Sequence, residues 1–386
     1  MRREDFSPDA PGQVIRAREG HWTFVPRPLP PRVQWTTKLV STLSDADRAL
    51  GEVAGLGRLL PNPHLLIRPL MRREAVISSR IEGTQASLSD LYAYEAAQLE
   101  LFELPSDVRE VHNYIGALEY GLQRIHELPL SLRLIQELHA RLMAGVRGHE
   151  KHPGEFRREA NWIGPVGSTA ETARYVPPPA AEMREALTAL ERYLHDASDL
   201  PPLARIALIH YQFEAIHPFL DGNGRIGRLL ITLLLCDWAL LPQPLLYLSP
   251  YFEADRSAYY DQLLAVSQRG DWGDWLAYFL RGVAAQSKDA IARIRQLQDL
   301  RESYRRAVQA LRAGARLLQV LDLLFASPVV TVRQIEAGLG VNYPTAQRYV
   351  QTLQELGFLS EITRQARHRV YRADGIIRAI EAPLSL

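Results

Sequence analysis

Residues 217–228 constrain the fold of this chain most, because they combine a histidine, a carboxylate, three glycines and two arginines in one short segment. They read His-Pro-Phe-Leu-Asp-Gly-Asn-Gly-Arg-Ile-Gly-Arg. Glycines at this density would break a core helix, so the segment is predicted to be a turn that leads into the apolar run 229–236. The preceding residues 203–216 carry apolar side chains at helical spacing. The sequence therefore predicts a helix, a turn and a second helix.

This turn has the chemistry of a polyphosphate cradle with a base beside it. Backbone amides at the start of a helix point towards a ligand there and favour an anion. Asp221 is a hard oxygen ligand that suits phosphate-bound Mg²⁺, and Arg225 and Arg228 can fork onto phosphate oxygens. His217, with an ordinary pKa near ~6.5, can act as a neutral base. The pattern is neither a Walker A loop, which needs Gly-Lys-Ser/Thr, nor a Rossmann fingerprint, which follows a strand.

The segment closely resembles the signature of the Fic family, His-Pro-Phe-x-Asp/Glu-Gly-Asn-Gly-Arg-x-x-Arg, and matches it at every fixed position. The resemblance implies a mainly α-helical Fic core and a protein adenylyltransferase, which transfers AMP from ATP-Mg²⁺ to a Tyr, Thr or Ser hydroxyl of a target protein or of itself. It implies that His217 is the catalytic base and that Asp221 holds the metal. It implies that the phosphates are bound by Gly222, Asn223, Gly224, Arg225 and Arg228, with Asn223 at the α-phosphate.

A second motif lies far upstream of the turn. Ser78 and Glu82 are four residues apart near the end of a helix predicted over 69–81, so they share a helix face, and Gly83 is a typical stop. A glutamate in the last turn opposes the helix dipole by roughly 0.3–1 kcal/mol, which indicates that another group holds it there. By resemblance this is the inhibitory helix of Fic proteins, in which Glu82 pairs with Arg228 and blocks the γ-phosphate of ATP. The alternative is an exposed glutamate before a helix stop.

Residues 154–179 are predicted to form a β-hairpin. Strand-like runs at 156–163 and 173–176 flank a tip rich in glycine, proline and hydroxyl residues. We expect it to be the only β element in this part of the chain. By resemblance it is the flap that holds a target segment in extended form, with Ile163 and Gly164 over the nucleotide. A merely structural hairpin is the alternative.

Three residues after the turn complete the expected nucleotide site. The resemblance places the pair Tyr259 and Tyr260 near the adenine, and Ser267 follows about two helical turns later. Aromatic residues in such a helical stretch are also typical of a core, so a packing role remains open.

The C-terminal residues 313–386 differ in character from the rest. Their predicted elements are helices at 317–325, 332–339 and 343–356 and strands at 358–362 and 369–372. This order predicts a winged helix-turn-helix domain. Its third helix would offer Gln347 and Arg348 to DNA, and its wing would offer Arg367. Winged helices also serve as dimer or docking modules, so a homodimer or a protein partner is the alternative.

Length and composition indicate several domains in a reducing compartment. The 386 residues divide into an N-terminal arm and helical region (1–120), a Fic core (121–300) and the winged domain (313–386), with a solvated charged helix at 282–312 as connector. The first 35 residues, rich in proline, are expected to be an extended arm. The single cysteine excludes an intrachain disulfide. Without a signal peptide or membrane span, we expect a cytoplasmic protein that does not associate with membranes.

Other classes of function remain open. His210, Glu214 and His217 recur along one helix face, a spacing that can hold Zn²⁺ in a metal hydrolase, although the His-Glu-x-x-His order is missing. A transcription regulator whose Fic body only senses a nucleotide is another possibility. Within the family, use of a different nucleotide and removal of AMP also remain open.

Overall fold

The computed structural model describes residues 1–60, 62–97, 106–148, 150–165, 167–311, 315–363 and 369–382. Over these residues the protein is mainly α-helical, as the sequence predicts. Among its described helices, none combines the length and the apolar character that crossing a membrane requires.

The N-terminal segment is a β-hairpin and not the expected extended arm. Strand β1 (Gly12–Arg16) pairs antiparallel with β2 (Trp22–Pro26). Phe24 is fully buried and stacks on Phe6, so the hairpin is anchored in the core. The closely spaced prolines favoured an extended arm. The residues just before them are aromatic and β-branched, and these favour a strand.

Among the described residues, five α-helices precede the flap: α1 (Thr37–Leu59), α2 (His64–Ile81), α3 (Leu88–Ala97), α4 (Ser106–Arg124) and α5 (Leu132–Leu142). Helix α1 begins after Thr36, whose hydroxyl caps it by accepting a hydrogen bond from the Leu39 amide at 3.2 Å. Helix α2 begins earlier than predicted, so Pro69 lies buried inside the helix, where it removes one backbone hydrogen bond. The predicted division at residue 120 falls within α4.

The flap region 154–179 contains less regular β structure than predicted. Ile163 and Tyr175 form an isolated antiparallel bridge, and the described residues around it are not strands. Their backbone groups have partners elsewhere. The Arg157 amide donates to the Pro218 carbonyl at 2.9 Å, and the Val176 carbonyl accepts from the Phe24 amide of β2 at 3.0 Å. The strand-like runs predicted at 156–163 and 173–176 are therefore reduced to this single bridge in the described residues, and the segment is held by the body of the protein.

The central body continues with α6 (Ala180–His195), α7 (Pro202–Ile216), α8 (Asn223–Asp237), α9 (Ser249–Ala254), α10 (Arg256–Arg269) and α11 (Trp272–Ala310). Helices α7 and α8 are buried on nearly all sides, as expected for central helices. Helix α11 runs unbroken for 39 residues and packs along α1. The predicted solvated connector is thus part of a core helix, with Val283, Ile294 and Leu297 buried.

The C-terminal domain consists of α12 (Ala315–Ala326), β3 (Val329–Thr331), α13 (Val332–Leu339), α14 (Tyr343–Glu355), β4 (Ser360–Glu361), β5 (Val370–Arg372) and α15 (Asp374–Glu381). Its antiparallel sheet has the order β3-β5-β4. The sequence did not predict β3 or α15. The predicted DNA contact Arg367 lies outside the described residues.

The C-terminal domain is docked on the body. Helices α12 and α15 pack against α2, and strand β3 packs against α3. The buried Arg293 of α11 donates to the carbonyls of Ala379 and Ile380 at the end of α15, and it forms an ion pair with Asp289 at 2.7 Å. Arg73 of α2 lies 3.4 Å from the same carboxylate. One buried charge cluster therefore connects α2, α11 and the C-terminal domain.

Candidate active site

The turn between α7 and α8 reverses the chain within a few residues. His217 ends α7 in the left-handed conformation, with φ 49° and ψ 61°, and Gly222 has φ 77° just before α8. A left-handed residue other than glycine costs roughly 1–3 kcal/mol, so the surrounding structure must hold His217 there.

Arg157, which the sequence did not single out, is the residue that holds this turn. Its buried guanidinium donates to the carbonyls of His217 at 2.9 Å, Pro178 at 2.6 Å and Glu159 at 3.1 Å. It also reaches the Ile216 carbonyl at 3.4 Å. These acceptors are carbonyls, and among the described residues no carboxylate pairs with the guanidinium. An arginine in an irregular segment has no sequence signature that would reveal this role.

The His217 imidazole is neutral at physiological pH. Burial disfavours the imidazolium and the nearby Arg157 charge repels it, so the pKa of His217 falls to about 4. The negative charge of Glu82 acts in the opposite direction and raises this pKa. The predicted base is therefore present in its proton-accepting form.

Buried side chains within the turn hold the rest of its backbone in place. Phe219 is fully buried and stacks on His139 with ring centroids 3.7 Å apart. The Asn223 side chain accepts from the Phe219 amide at 2.8 Å and donates to the Phe219 carbonyl at 2.7 Å. Both ends of the Asn223 amide are thus engaged with the backbone of the turn. Asn223 thus positions the turn, and its contact with the α-phosphate stays a prediction.

His139 ties a neighbouring segment to the same turn. Its Nδ1 accepts from the Gly154 amide at 2.8 Å, which leaves Nε2 to donate to the Asp221 carbonyl at 3.0 Å. Burial lowers the pKa of His139 to about 4, so this tautomer persists at neutral pH. Asn161 adds a hydrogen bond to the Phe219 carbonyl at 2.9 Å. Neither residue carried a signal in the sequence.

The Asp221 carboxylate lies between donors and remains partly exposed. One oxygen accepts from the Gly222 amide at 2.7 Å, and the other lies 3.0 Å from the Lys151 ammonium. These contacts and Arg225 outweigh the opposing effect of burial, which is the largest single influence, so the pKa of Asp221 is lowered. An ionised carboxylate that already faces a cation is a suitable oxygen ligand for Mg²⁺.

The two arginines of the turn have different surroundings. Arg225 is buried, and its guanidinium donates to the buried Glu110 of α4 at 3.1 Å and contacts the Met143 sulfur. Arg225 therefore ties α8 to α4 through a buried acid that the spacing could not reveal. Contact of its side chain with the outer phosphates stays a prediction.

In the described part of the chain, the hydrogen bonds of the Arg228 guanidinium go to α2 and to the residue that caps it. Its guanidinium donates to the Ser78 hydroxyl and carbonyl, each at 2.9 Å, and to Glu82 Oε1 at 2.7 Å. Glu82 is the C-cap of α2, and Gly83 follows with φ +99°. The Glu82 carboxylate also stabilises the positive charge and raises the pKa of Arg228. The ion pair that the resemblance implies is thus present.

Gly224 lets this carboxylate approach the start of α8. A Cβ at position 224 would overlap Glu82 Oε1 and would lie 2.9 Å from the Arg228 guanidinium. The first amides of a helix have no acceptor within the helix and favour an anion. The Glu82 carboxylate therefore lies where the sequence predicts phosphate binding.

Of the three nucleotide contacts expected after the turn, Tyr260 alone keeps an exposed part. Tyr259 is 1% exposed, and its hydroxyl bonds to His210 Nε2 at 2.8 Å. Ser267 is 2% exposed and bonds to the Tyr211 hydroxyl at 2.9 Å. Both are buried with partners inside the protein, and their contact with a nucleotide stays a prediction. Half-buried Tyr260 lies near Glu82 and Arg228, and burial together with the Glu82 charge raises its pKa to about 12.

The flap residues stand beside the turn. Ile163 is half-buried and Gly164 is exposed, and both follow Asn161, which anchors the segment to Phe219. The exposed Trp162 donates its indole N–H to the Ser168 carbonyl at 2.7 Å. Contact of Ile163 and Gly164 with a nucleotide stays a prediction.

The alternative zinc site lacks available ligands. His210 Nδ1 contacts the Gly227 carbonyl at 3.1 Å, and its other nitrogen is held by Tyr259, while His217 leaves the helix face through its left-handed turn. In the described part of the chain, no group of three His, Cys, Asp or Glu side chains is placed to hold a metal. The helical spacing of His210, Glu214 and His217 therefore does not make a zinc cluster here.

Together these features define a class: helical proteins in which a neutral histidine stands beside an anion-binding helix start. Family models for the Fic/DOC family N-terminal region, the Fic/DOC family and the IclR helix-turn-helix domain match residues 40–123, 129–235 and 315–362. The chain is a Fic-domain protein with a C-terminal helix-turn-helix domain.

Named relatives cover only part of the chain. Over 131 residues it is 34% identical to the protein adenylyltransferase Fic of Drosophila erecta and 33% identical to that of Drosophila melanogaster. The match covers 32% of this chain and 24% of each relative, so the chain spans about a quarter of their length.

Solved structures show the same fold. A Fic family protein from Desulfovibrio desulfuricans aligns with a TM-score of 0.58 at 21% identity, over 89% of this chain and 98% of that one. Fic-1 from C. elegans aligns with a TM-score of 0.52 at 23% identity, over 67% and 75% of the two chains.

Proposed function

We propose that this protein is a nucleotidyltransferase that moves AMP from ATP to a hydroxyl group of a protein, and that Glu82 restrains it. The observation that carries the proposal is the placement of a carboxylate on Arg228 at the start of α8. A site that attracts a carboxylate to a helix N-terminus and an arginine suits a phosphate. Similarity to named adenylyltransferases supports AMP as the group transferred.

In the proposed reaction, a target hydroxyl gives its proton to His217 as its oxygen attacks the α-phosphorus of ATP. A new phosphorus–oxygen bond forms, the bond from the α-phosphorus to the bridging oxygen breaks, and pyrophosphate leaves. The low pKa of His217 makes it available but weakly basic. A bound polyphosphate would raise that pKa through its negative charge, as Glu82 does. Catalysis then depends mainly on placement and charge.

Asp221 is the residue that would hold Mg²⁺ in this site. Its ionised, partly exposed carboxylate fits the ion, because hard oxygen ligands are those that Mg²⁺ prefers. When bound, the ion would neutralise charge on the phosphate oxygens.

The phosphates would rest on the first amides of α8, at Gly222, Asn223 and Gly224. Arg228 would reach the outermost phosphate only after Glu82 releases it, because Ser78 and Glu82 engage its guanidinium. Glu82 would thus let ATP bind with its outer phosphates displaced. This supports restraint of transfer rather than exclusion of the nucleotide.

Position-specific labelling tests the reaction class. The Glu82→Gly variant would be incubated with a cell lysate and ATP labelled at either the α- or the γ-phosphate. We expect protein-bound label from the α-phosphate and none from the γ-phosphate. Transfer of the γ-label would replace the proposal with phosphorylation, and release of label from previously modified proteins would replace it with removal of AMP.

A nucleotide-sensing DNA-binding regulator is the second candidate function. Its supporting observation is the exposed outer face of α14, where Asn342, Arg348 and Gln351 face solvent and Gln347 is half-buried. Such side chains suit base edges and phosphates. The full chain would be titrated with random duplex DNA at two salt concentrations, and phosphate-driven binding must weaken steeply as salt rises. Absence of binding at low salt would leave this face for a protein partner or a second copy of the chain.

A further inference from the structure

The ammonium of Lys151 lies beside the carboxylate of Asp221, the expected metal ligand. Lys151 Nζ lies 3.0 Å from Asp221 Oδ2. The lysine belongs to a turn between α5 and the flap, in which the Lys151 amide donates to the Gly148 carbonyl at 2.9 Å. Gly148 has φ +86°, and a Cβ there would lie 3.0 Å from the same Asp221 oxygen. The turn therefore packs against the Asp221 carboxylate and places the Lys151 ammonium next to it.

The two cations near Asp221 differ in their freedom to move. Arg225 Nη2 lies 3.7 Å from the carboxylate, but its guanidinium is buried and tied to Glu110. The Lys151 side chain is 43% exposed, and its flexible stem allows the ammonium to swing. Lys151 is thus the cation that can leave Asp221 without breaking a buried ion pair.

We propose that Lys151 is an exchangeable cation of the nucleotide site: it neutralises Asp221 before a metal binds, and it donates to phosphate oxygens once the metal takes its place. This inference rests on the proposed function, since it requires a nucleoside polyphosphate at the start of α8. A divalent ion bound to the same carboxylate oxygen would repel the ammonium, which favours its departure. Phosphate oxygens of a bound nucleotide would then be strong acceptors for the displaced ammonium.

Under this exchange, the contribution of Lys151 to nucleotide affinity depends on whether the metal is bound. Without a metal, Lys151 is the mobile charge that keeps Asp221 from repelling the phosphates, and its loss weakens nucleotide binding strongly. With Mg²⁺ present, the ion neutralises Asp221, and loss of Lys151 removes only one phosphate contact. A lysine that merely supports the turn would lower nucleotide affinity equally under both conditions.

Calorimetric titration of ADP into the full-length protein, in EDTA and in Mg²⁺, tests this difference. The variants are Lys151→Met, which removes the charge, and Lys151→Arg, which keeps it. Arg158→Met is the matched control, because Arg158 is 79% exposed nearby and pairs only at the surface with Glu155 in the described structure. ADP lacks the outer phosphate that Glu82 would displace, so the restraint does not interfere.

We expect Lys151→Met to weaken ADP binding about tenfold in EDTA and about threefold or less in Mg²⁺. Lys151→Arg should lie close to the wild type, and Arg158→Met should match it under both conditions. Equal losses in EDTA and Mg²⁺, or no loss in either, would overturn the exchange. If the wild-type protein binds no ADP at all, the proposed nucleotide site itself is wrong, and the role of Lys151 with it. If the wild-type protein binds ADP but Lys151→Met behaves as described above, only the exchange is wrong.

Discussion

Glu82 Oε1 lies 2.7 Å from Nη2 of Arg228, a residue 146 positions further along the chain. The same guanidinium holds the Ser78 hydroxyl and carbonyl, so one side chain of α8 binds the last turn of α2 and its cap. The bare backbone of Gly224 lets the carboxylate settle at the start of α8. The end of α2 and the anion-binding end of α8 are therefore coupled by this ion pair.

Removing Arg228 should not have the effect of removing Glu82. Arg228→Ala breaks the ion pair but also deletes the partner of the outermost phosphate, so we expect no gain in AMP transfer. The double variant Glu82→Gly/Arg228→Ala should resemble Arg228→Ala. AMP transfer measured side by side in the three variants checks this, and a double variant as active as Glu82→Gly would show that Arg228 serves only to hold Glu82.

Arg157 should control both the geometry and the pKa of His217. Arg157→Met removes the donor to the His217 carbonyl and a positive charge that lowers the His217 pKa. In the Glu82→Gly background we expect AMP transfer to fall at least about tenfold, which corresponds to about 1.4 kcal/mol of barrier.

Nuclear magnetic resonance titration of the His217 ring gives an independent reading of this effect. In the unsubstituted protein we expect a pKa near 4, and in Arg157→Met a higher value. His217→Ala identifies the signal, and Arg158→Met is the surface control. An unchanged His217 pKa would limit Arg157 to supporting the fold.

Glu214 should make stability fall as pH rises. Burial is the main reason that its pKa is raised to about 8, and its buried Oε1 has no hydrogen-bond partner among the described residues. An unfolded chain releases this proton near ~4.3, so between that pH and about 8 the folded chain binds more protons. The contribution to the free energy of unfolding therefore decreases with pH, by up to about 1.4 kcal/mol per unit.

Urea unfolding at three pH values between 5.5 and 7.5 tests this assignment. Glu214→Gln keeps the shape of the side chain but cannot ionise, so its stability should gain on the wild type as pH rises. The difference isolates Glu214 from the other titrating groups. Parallel stability profiles for the two proteins would mean that Glu214 is ionised in the folded chain across this range.

The backbone around the motif was predictable from residue spacing, and the partner of Arg228 was predictable from resemblance. The helix, turn and helix of 203–236 follow from apolar periodicity and glycines, and the pairing of Glu82 with Arg228 followed from resemblance. Side-chain roles within the turn were less accessible. Asn223 and Arg225 are polar in the sequence, yet Phe219 and the buried Glu110 engage them in the fold. Nothing in their spacing distinguishes a ligand contact from an internal one.

Arg157, Lys151 and Asn161 could not be predicted because their roles arise from irregular segments folded against a distant turn. Each acts through a contact across about 60 or 70 residues, such as the 2.9 Å bond from Asn161 to the Phe219 carbonyl. Likewise, the charges of 282–312 indicated a solvated helix, although its apolar residues continue the buried stripe of α11. Charge on one face does not end a helix.

Restraint of AMP transfer by Glu82 is measured with ATP labelled at the α-phosphate. Transfer to the protein itself and to lysate proteins would be measured for wild type, Glu82→Gly and Glu82→Gly/His217→Ala. We predict a rise of more than about tenfold in Glu82→Gly, since this requires only about 1.4 kcal/mol. Adding His217→Ala to Glu82→Gly should lower the transfer rate about 10²–10⁴-fold, because it deletes the base. Equal transfer by wild type and Glu82→Gly would mean that Glu82 does not restrain the reaction and that α2 has only a structural role.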